Sequence, residues 1–202
     1  MNKGSIFLTS TGLTSENVSL KFRGLVSNPE NTSVAIVTTA AEGKSENKYS
    51  QLAKKQFSEM GFLRIDFIDL ETEPGKDFAE YDVIYVCGGN TFKLLKFARE
   101  SNFKASIESL LKRNGVYIGV SAGSIIVGPS IEIAGEVAAD KNEVGLEDFT
   151  GFGITNFIIL PHYSPEIEKG ASDFESKYSV KVERLNNSQA ILIENGEKIL
   201  IE

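Results

Sequence analysis

The chain is short of the residues that most protein chemistry depends on: it has one cysteine, one histidine and no long apolar run. Cys87 alone can neither close an internal disulfide framework nor supply a multi-thiolate metal site. With His162 as the sole imidazole, zinc sites of the usual His/Cys kind are excluded, and no acidic stretch has the spacing of a calcium loop. Basic residues are outnumbered, 21 Lys and Arg against 28 Asp and Glu, for a net charge of -7. That balance argues against a nucleic-acid or anionic-membrane partner, since both need a basic face. No apolar run reaches the length of a bilayer span. The N-terminus, Met1-Asn2-Lys3-Gly4-Ser5, leads into only three apolar residues, too few for a signal-peptide core. The expectation is a soluble, cytoplasmic protein that uses no metal and no cofactor.

What is present reads as a single α/β domain over residues 1–202, a mostly parallel sheet with helices on both faces. Apolar β-branched runs predict strands at 5–9, 33–39, 63–68, 82–87 and 115–119. Helical periodicity predicts helices at 14–26, 45–61, 91–99 and 102–113. In the second of these, Tyr49, Leu52, Ala53, Phe57 and Met60 form the inward face, and in the first Val18, Leu20, Phe22 and Leu25 recur on a roughly helical period. Residues 128–156, rich in glycine and charge, read as an irregular excursion. Residues 156–163 return to strand and stop at Pro161. The terminal "QAILIENGEKILIE" places two apolar runs around Asn195-Gly196, a strong hairpin signal.

Three stretches can carry chemistry. "GVSAGS" (119–124) places Ser121 between small residues after a strand. It reads either as a tight strand-to-helix turn or as a G-x-S-x-G nucleophile elbow. "LPHYS" (160–164) puts His162 just past a strand, at the edge where open α/β sheets bind ligands. A serine hydroxyl needs a base within hydrogen-bond reach, so either His162 or a lysine serves Ser121, or there is no catalysis. "VCGGNTFKLL" (86–95) ends a strand in Gly88-Gly89 and caps the next helix with Asn90-Thr91. Free N–H groups at that turn suit an oxyanion or a substrate carboxylate, which makes Asn90 and Thr91 candidate binding residues.

Together these motifs, in this order, resemble the peptidase E / cyanophycinase family of serine peptidases. The resemblance rests on "GGNTFKLL", "GVSAGS" with "VGPSI", "LPHYS" and "AILIENGEKIL", and it spans nearly the whole chain. It implies a fold like the class I glutamine amidotransferases, with serine in place of their cysteine. It implies Ser121 as nucleophile, His162 as base and later acid, and an oxyanion hole from the backbone N–H groups of Gly89 and Ala122. The segment between Ser121 and His162 lacks the successive crossovers that an α/β-hydrolase would need there.

Two positions depart from the family pattern. Where the family carries a triad glutamate, a count back from the terminal hairpin falls on Asn187, with Glu136 or Glu183 as substitutes. Asn187 would serve with its amide oxygen toward the ring, held so by a neighbouring hydrogen bond. Where aspartyl dipeptidases of the family carry an arginine, in a loop after the histidine, this chain has Asp173 and no arginine. Acidic first residues are therefore expected to be poor substrates, unless Lys169 replaces the arginine. The expected function is a serine peptidase cleaving dipeptides or short peptides through an acyl-enzyme on Ser121, as a monomer or homodimer. The alternatives are hydrolysis of another amide or ester, and a degenerate member that binds or regulates without catalysis.

Overall fold

The computed structural model describes residues 4–202; Met1–Lys3, part of the stretch read against a signal peptide, lie outside the described residues. In chain order the elements are β1 (Ser5–Thr9), α1 (Glu16–Arg23), β2 (Ser33–Val37), α2 (Lys48–Glu59), β3 (Arg64–Ile68) and β4 (Val83–Val86). Then come α3 (Thr91–Glu100), α4 (Phe103–Lys112), β5 (Val116–Val120), α5 (Ala122–Ile125), α6 (Glu132–Glu136) and β6 (Ile158–Leu160). The chain ends with α7 (Glu168–Tyr178), β7 (Val182–Arg184), β8 (Ala190–Glu194) and β9 (Glu197–Ile201).

Seven strands form one sheet in the order β3-β2-β4-β5-β1-β8-β9. The five strands from β3 to β1 are parallel, as helical crossovers require, and β8 and β9 add an antiparallel edge. The inner parallel strands β1, β2, β4 and β5 are buried on both faces, which is why their sequences are largely apolar rather than alternating, whereas β3 at the edge carries Arg64 and Asp66. Alternate residues feed two cores. Phe7, Ile36, Tyr85 and Ile118 meet Val18 and Phe22 of α1 and Ala53 and Phe57 of α2. Leu8, Val37, Ile84 and Tyr117 meet α3, α4 and α7 on the other face. The hairpin turns at Asn195 and Gly196, both at positive φ, with Glu194 opposite Glu197. That is the backbone an Asn-Gly two-residue turn supplies.

Several expectations need correction. His162 does follow a parallel strand, but β6 pairs only with β7 in a separate two-stranded sheet and is not part of the seven. The excursion at 128–156 contains the short helix α6, and most of the stretch after the histidine read as a loop, 164–176, falls in α7. Its Gly170, Ser172 and Ser176 hid the periodicity, while Ala171 and Phe174 supply the buried face. Tyr49 and Leu52 do not point inward: they are exposed and stand instead on the wall of the cavity described next. Among the described residues, no helix is long and apolar enough to cross a membrane.

Candidate active site

Ser121 connects β5 to α5 with φ 49° and ψ -108°, a backbone conformation that side-chain-bearing residues rarely adopt. The surrounding sequence explains how it is held. A Cβ on Gly119 would stand 2.6 Å from the carbonyl oxygen of Gly123, and one on Gly123 would stand 2.6 Å from that of Val86. The turn therefore folds back on its own strand and against β4 at distances that only glycine permits. Two hydroxyls brace it. Tyr117 donates to the Gly123 carbonyl at 2.7 Å, and buried Ser124 accepts from the Thr9 N–H at 3.0 Å. The second serine of "GVSAGS" thus fastens the turn to β1.

His162 lies beside Ser121 although it comes from the other sheet. The Ser121 hydroxyl donates to His162 Nε2 at 3.0 Å, and His162 Nδ1–H donates to Asn187 Oδ1 at 2.8 Å. A proton on Nδ1 leaves the lone pair of Nε2 free for the serine, the tautomer a general base needs. Three of the residues read from the sequence are therefore in one line. Glu136 and Glu183 are not part of it: Glu136 binds Lys177 and Tyr178, and Glu183 binds Lys181 and Lys198.

The residues that bring the two sheets together were missed in the sequence. The buried Ser10 hydroxyl, just past β1, accepts from the His162 N–H at 3.0 Å and donates to the Leu185 carbonyl at 2.9 Å. Thr11 donates to the Asn187 carbonyl at 2.8 Å. The neighbouring hydrogen bond that holds Asn187 is thus made to its backbone. Asn186 closes the turn by accepting from the Ser188 N–H. The only signal for Ser10 and Thr11 was a pair of hydroxyl residues at the carboxyl end of a strand.

Gly89 has φ 139°, and a Cβ there would overlap the Ala40 carbonyl. Its N–H and that of Ala122 donate to no group among the described residues. The helix start that follows is different. Thr91 N–H donates to the Asp140 carboxylate at 2.9 Å, and Lys93 N–H to the Asn90 side chain at 2.9 Å. A carboxylate from the excursion already satisfies the amino end of α3, where negative charge is favoured. Asn90 therefore works as the helix cap, Thr91 is buried, and neither lines the cavity at Ser121. Asp173 and Lys169 are exposed on α7, also away from that cavity.

The cavity measures about 640 Å³ and opens beside Ser121, His162 and Asn187. It runs past Gly88 and Gly89 over the face that carries α2.

A parallel sheet with a strained serine turn at a strand end, a histidine in reach and free N–H groups beside it defines a serine hydrolase site. Residues 6–202 match the model of Peptidase family S51, and the chain belongs to that family of serine-type peptidases. It is 31% identical over 203 residues to an uncharacterized peptidase of Pasteurella multocida, covering 96% of each chain. It is 34% identical over 98 residues to peptidase E of Citrobacter koseri, covering 48% of this chain and 41% of that one. Its fold is similar to the crystal structure of a candidate peptidase E protein from Listeria monocytogenes EGD-e, with a TM-score of 0.79 and 26% identity, covering 98% of this chain and 97% of the other.

Proposed function

We propose that this peptidase cleaves dipeptides or short peptides through an acyl-enzyme on Ser121. The observation that carries the reading is the line from Asn187 Oδ1 through the imidazole to Ser121 Oγ, with contacts of 2.8 and 3.0 Å. Ser121 Oγ attacks the scissile carbonyl carbon while His162 Nε2 takes its proton. The carbonyl oxygen gains the negative charge and sits against the N–H groups of Gly89 and Ala122. Collapse expels the amine, which receives the proton from His162, and leaves the acyl group on Ser121. Water then attacks that ester by the same steps in reverse order, regenerating the serine.

Asn187 orients the ring but carries no charge, so it steadies the imidazolium less than a carboxylate would. Turnover is accordingly expected to be slower than with a carboxylate at this position. The intact contact between Ser121 and His162 favours catalysis over the non-catalytic alternative. An acidic side chain is disfavoured in the cavity because no lysine or arginine lines it. Labelling with a fluorophosphonate probe tests the nucleophile: wild type is expected to be modified at Ser121, and Ser121→Ala to remain unmodified. Turnover of a dipeptide library then separates peptides from other amides and esters.

A further inference from the structure

The cavity beside Ser121 extends well past the reacting groups. Strand order divides it, because β5, which carries Ser121, lies between β1 and β4. His162 is tied to the end of β1 through Ser10, and the leaving amine must lie on that side to receive its proton. The opposite side, toward β4, β2 and α2, is left for the side chain of the residue bonded to the attacked carbonyl. Its walls are Tyr85, Cys87, Ala41 and Val120, with Tyr49 and Leu52 at the α2 side.

That wall has a definite chemistry. Tyr49 is 65% exposed and Leu52 39% exposed, an aromatic and an aliphatic side chain left facing solvent one helical turn apart. Elsewhere α2 turns its apolar residues, Ala53 and Phe57, into the core. The floor is uncharged at neutral pH, since burial pushes the Cys87 thiol up to about 11 and raises the Tyr85 phenol as well. Among the lining residues, Glu42 is the only carboxylate, and there is no lysine or arginine. A volume of about 640 Å³ leaves room for a large side chain.

We infer that this cavity selects, on the acyl side of the scissile bond, a bulky uncharged side chain, aromatic or long aliphatic, and rejects carboxylates. The inference rests on the peptidase reading of Ser121 and His162 and adds to it the substrate class. Burying an apolar side chain against Tyr49, Leu52 and Tyr85 is favourable, whereas a carboxylate there would lose water, find no cation and face Glu42.

The test is a series of aminoacyl 7-amido-4-methylcoumarins, which varies the acyl residue and holds the leaving group constant. The expected kcat/KM for Phe, Leu and Met exceeds that for Asp and Glu by about tenfold or more, as differential burial in a pocket allows. Leu52→Arg, at an exposed helix position, is expected to raise Asp and Glu hydrolysis above wild type by about tenfold and to lower Phe hydrolysis. Calorimetric binding of Phe-Ala and Asp-Ala to Ser121→Ala reads the pocket without chemistry, and Phe-Ala is expected to bind more tightly. Turnover with no preference, or with a preference for Asp, overturns the pocket assignment and leaves the mechanism standing. Absent turnover and absent Ser121 labelling, with Phe-Ala still preferred by Ser121→Ala, overturns the mechanism and supports the pocket. Equal binding of the two dipeptides overturns the pocket whatever the turnover.

Discussion

His162 Nδ1 donates to Asn187 Oδ1 at 2.8 Å, so the imidazole is oriented by an amide oxygen where a carboxylate would bring a full charge. Orientation and charge are separable contributions, and this pair supplies only the first. Asn187→Ala is expected to lower kcat by about tenfold or more, about 1.4 kcal/mol, by releasing the ring. Asn187→Glu is expected to preserve or raise kcat. Steady-state kinetics on one good substrate decide the matter, and an unchanged rate in Asn187→Ala would mean the ring is oriented by something else.

In the proposed mechanism Ser121 and His162 act on one proton, so their losses are not expected to add. Ser121→Ala, His162→Ala and the double variant are expected to share nearly the same residual activity. All three are expected to keep the wild-type melting temperature, because both side chains sit at the cavity rather than in the core. Near-wild-type turnover in His162→Ala would remove it as the base.

The Ser10 hydroxyl joins the sheet of β1 to the segments that follow β6 and β7, and is expected to position His162. Ser10→Ala would leave the His162 N–H and the Leu185 carbonyl without that partner, at a cost of about 1–3 kcal/mol. The expected result is a lower melting temperature together with a fall in kcat at nearly constant KM. If stability drops and kcat does not, Ser10 holds the fold without aligning the histidine.

Arg184 on β7 binds Glu168 at 2.7 Å and Glu175 at 2.9 Å, pinning α7 to the strand that leads to Asn187. Its guanidinium holds the Glu168 carboxyl well below its ordinary 4.5, at about 2, and lowers Glu175 in the same direction. Carboxylates depressed in the folded state favour folding above their unfolded pKa, and that contribution is lost as pH falls through the folded value. Arg184→Met is therefore expected to be less stable than wild type at neutral pH. The gap is expected to narrow from about pH 4.5 toward pH 2. Urea midpoints measured across that range test it, and a gap that stays constant would show that the ion pairs are not its source.

Sequence by itself determined the parallel sheet, because strands buried on both faces must be continuously apolar and crossover helices must be amphipathic. It also determined the turn at Ser121, since glycines at 119 and 123 record a backbone approach that no larger residue allows. Asn187 was within reach because the hairpin that follows it anchors the count. Tertiary structure alone decided what lay between these points. Helix α7 carries too few apolar residues to declare itself, and its two buried positions gain meaning only once a core exists to receive them. Tyr49 and Leu52 obey the helical period of a buried face, yet the sheet leaves a cavity where they point. Asn90 and Thr91 lost their binding role to Asp140, distant in sequence and delivered by the excursion to the same helix end. Ser10 and Thr11 belong to that group as well: a hydroxyl carries no record of its partner, and only the meeting of two sheets gave these two theirs.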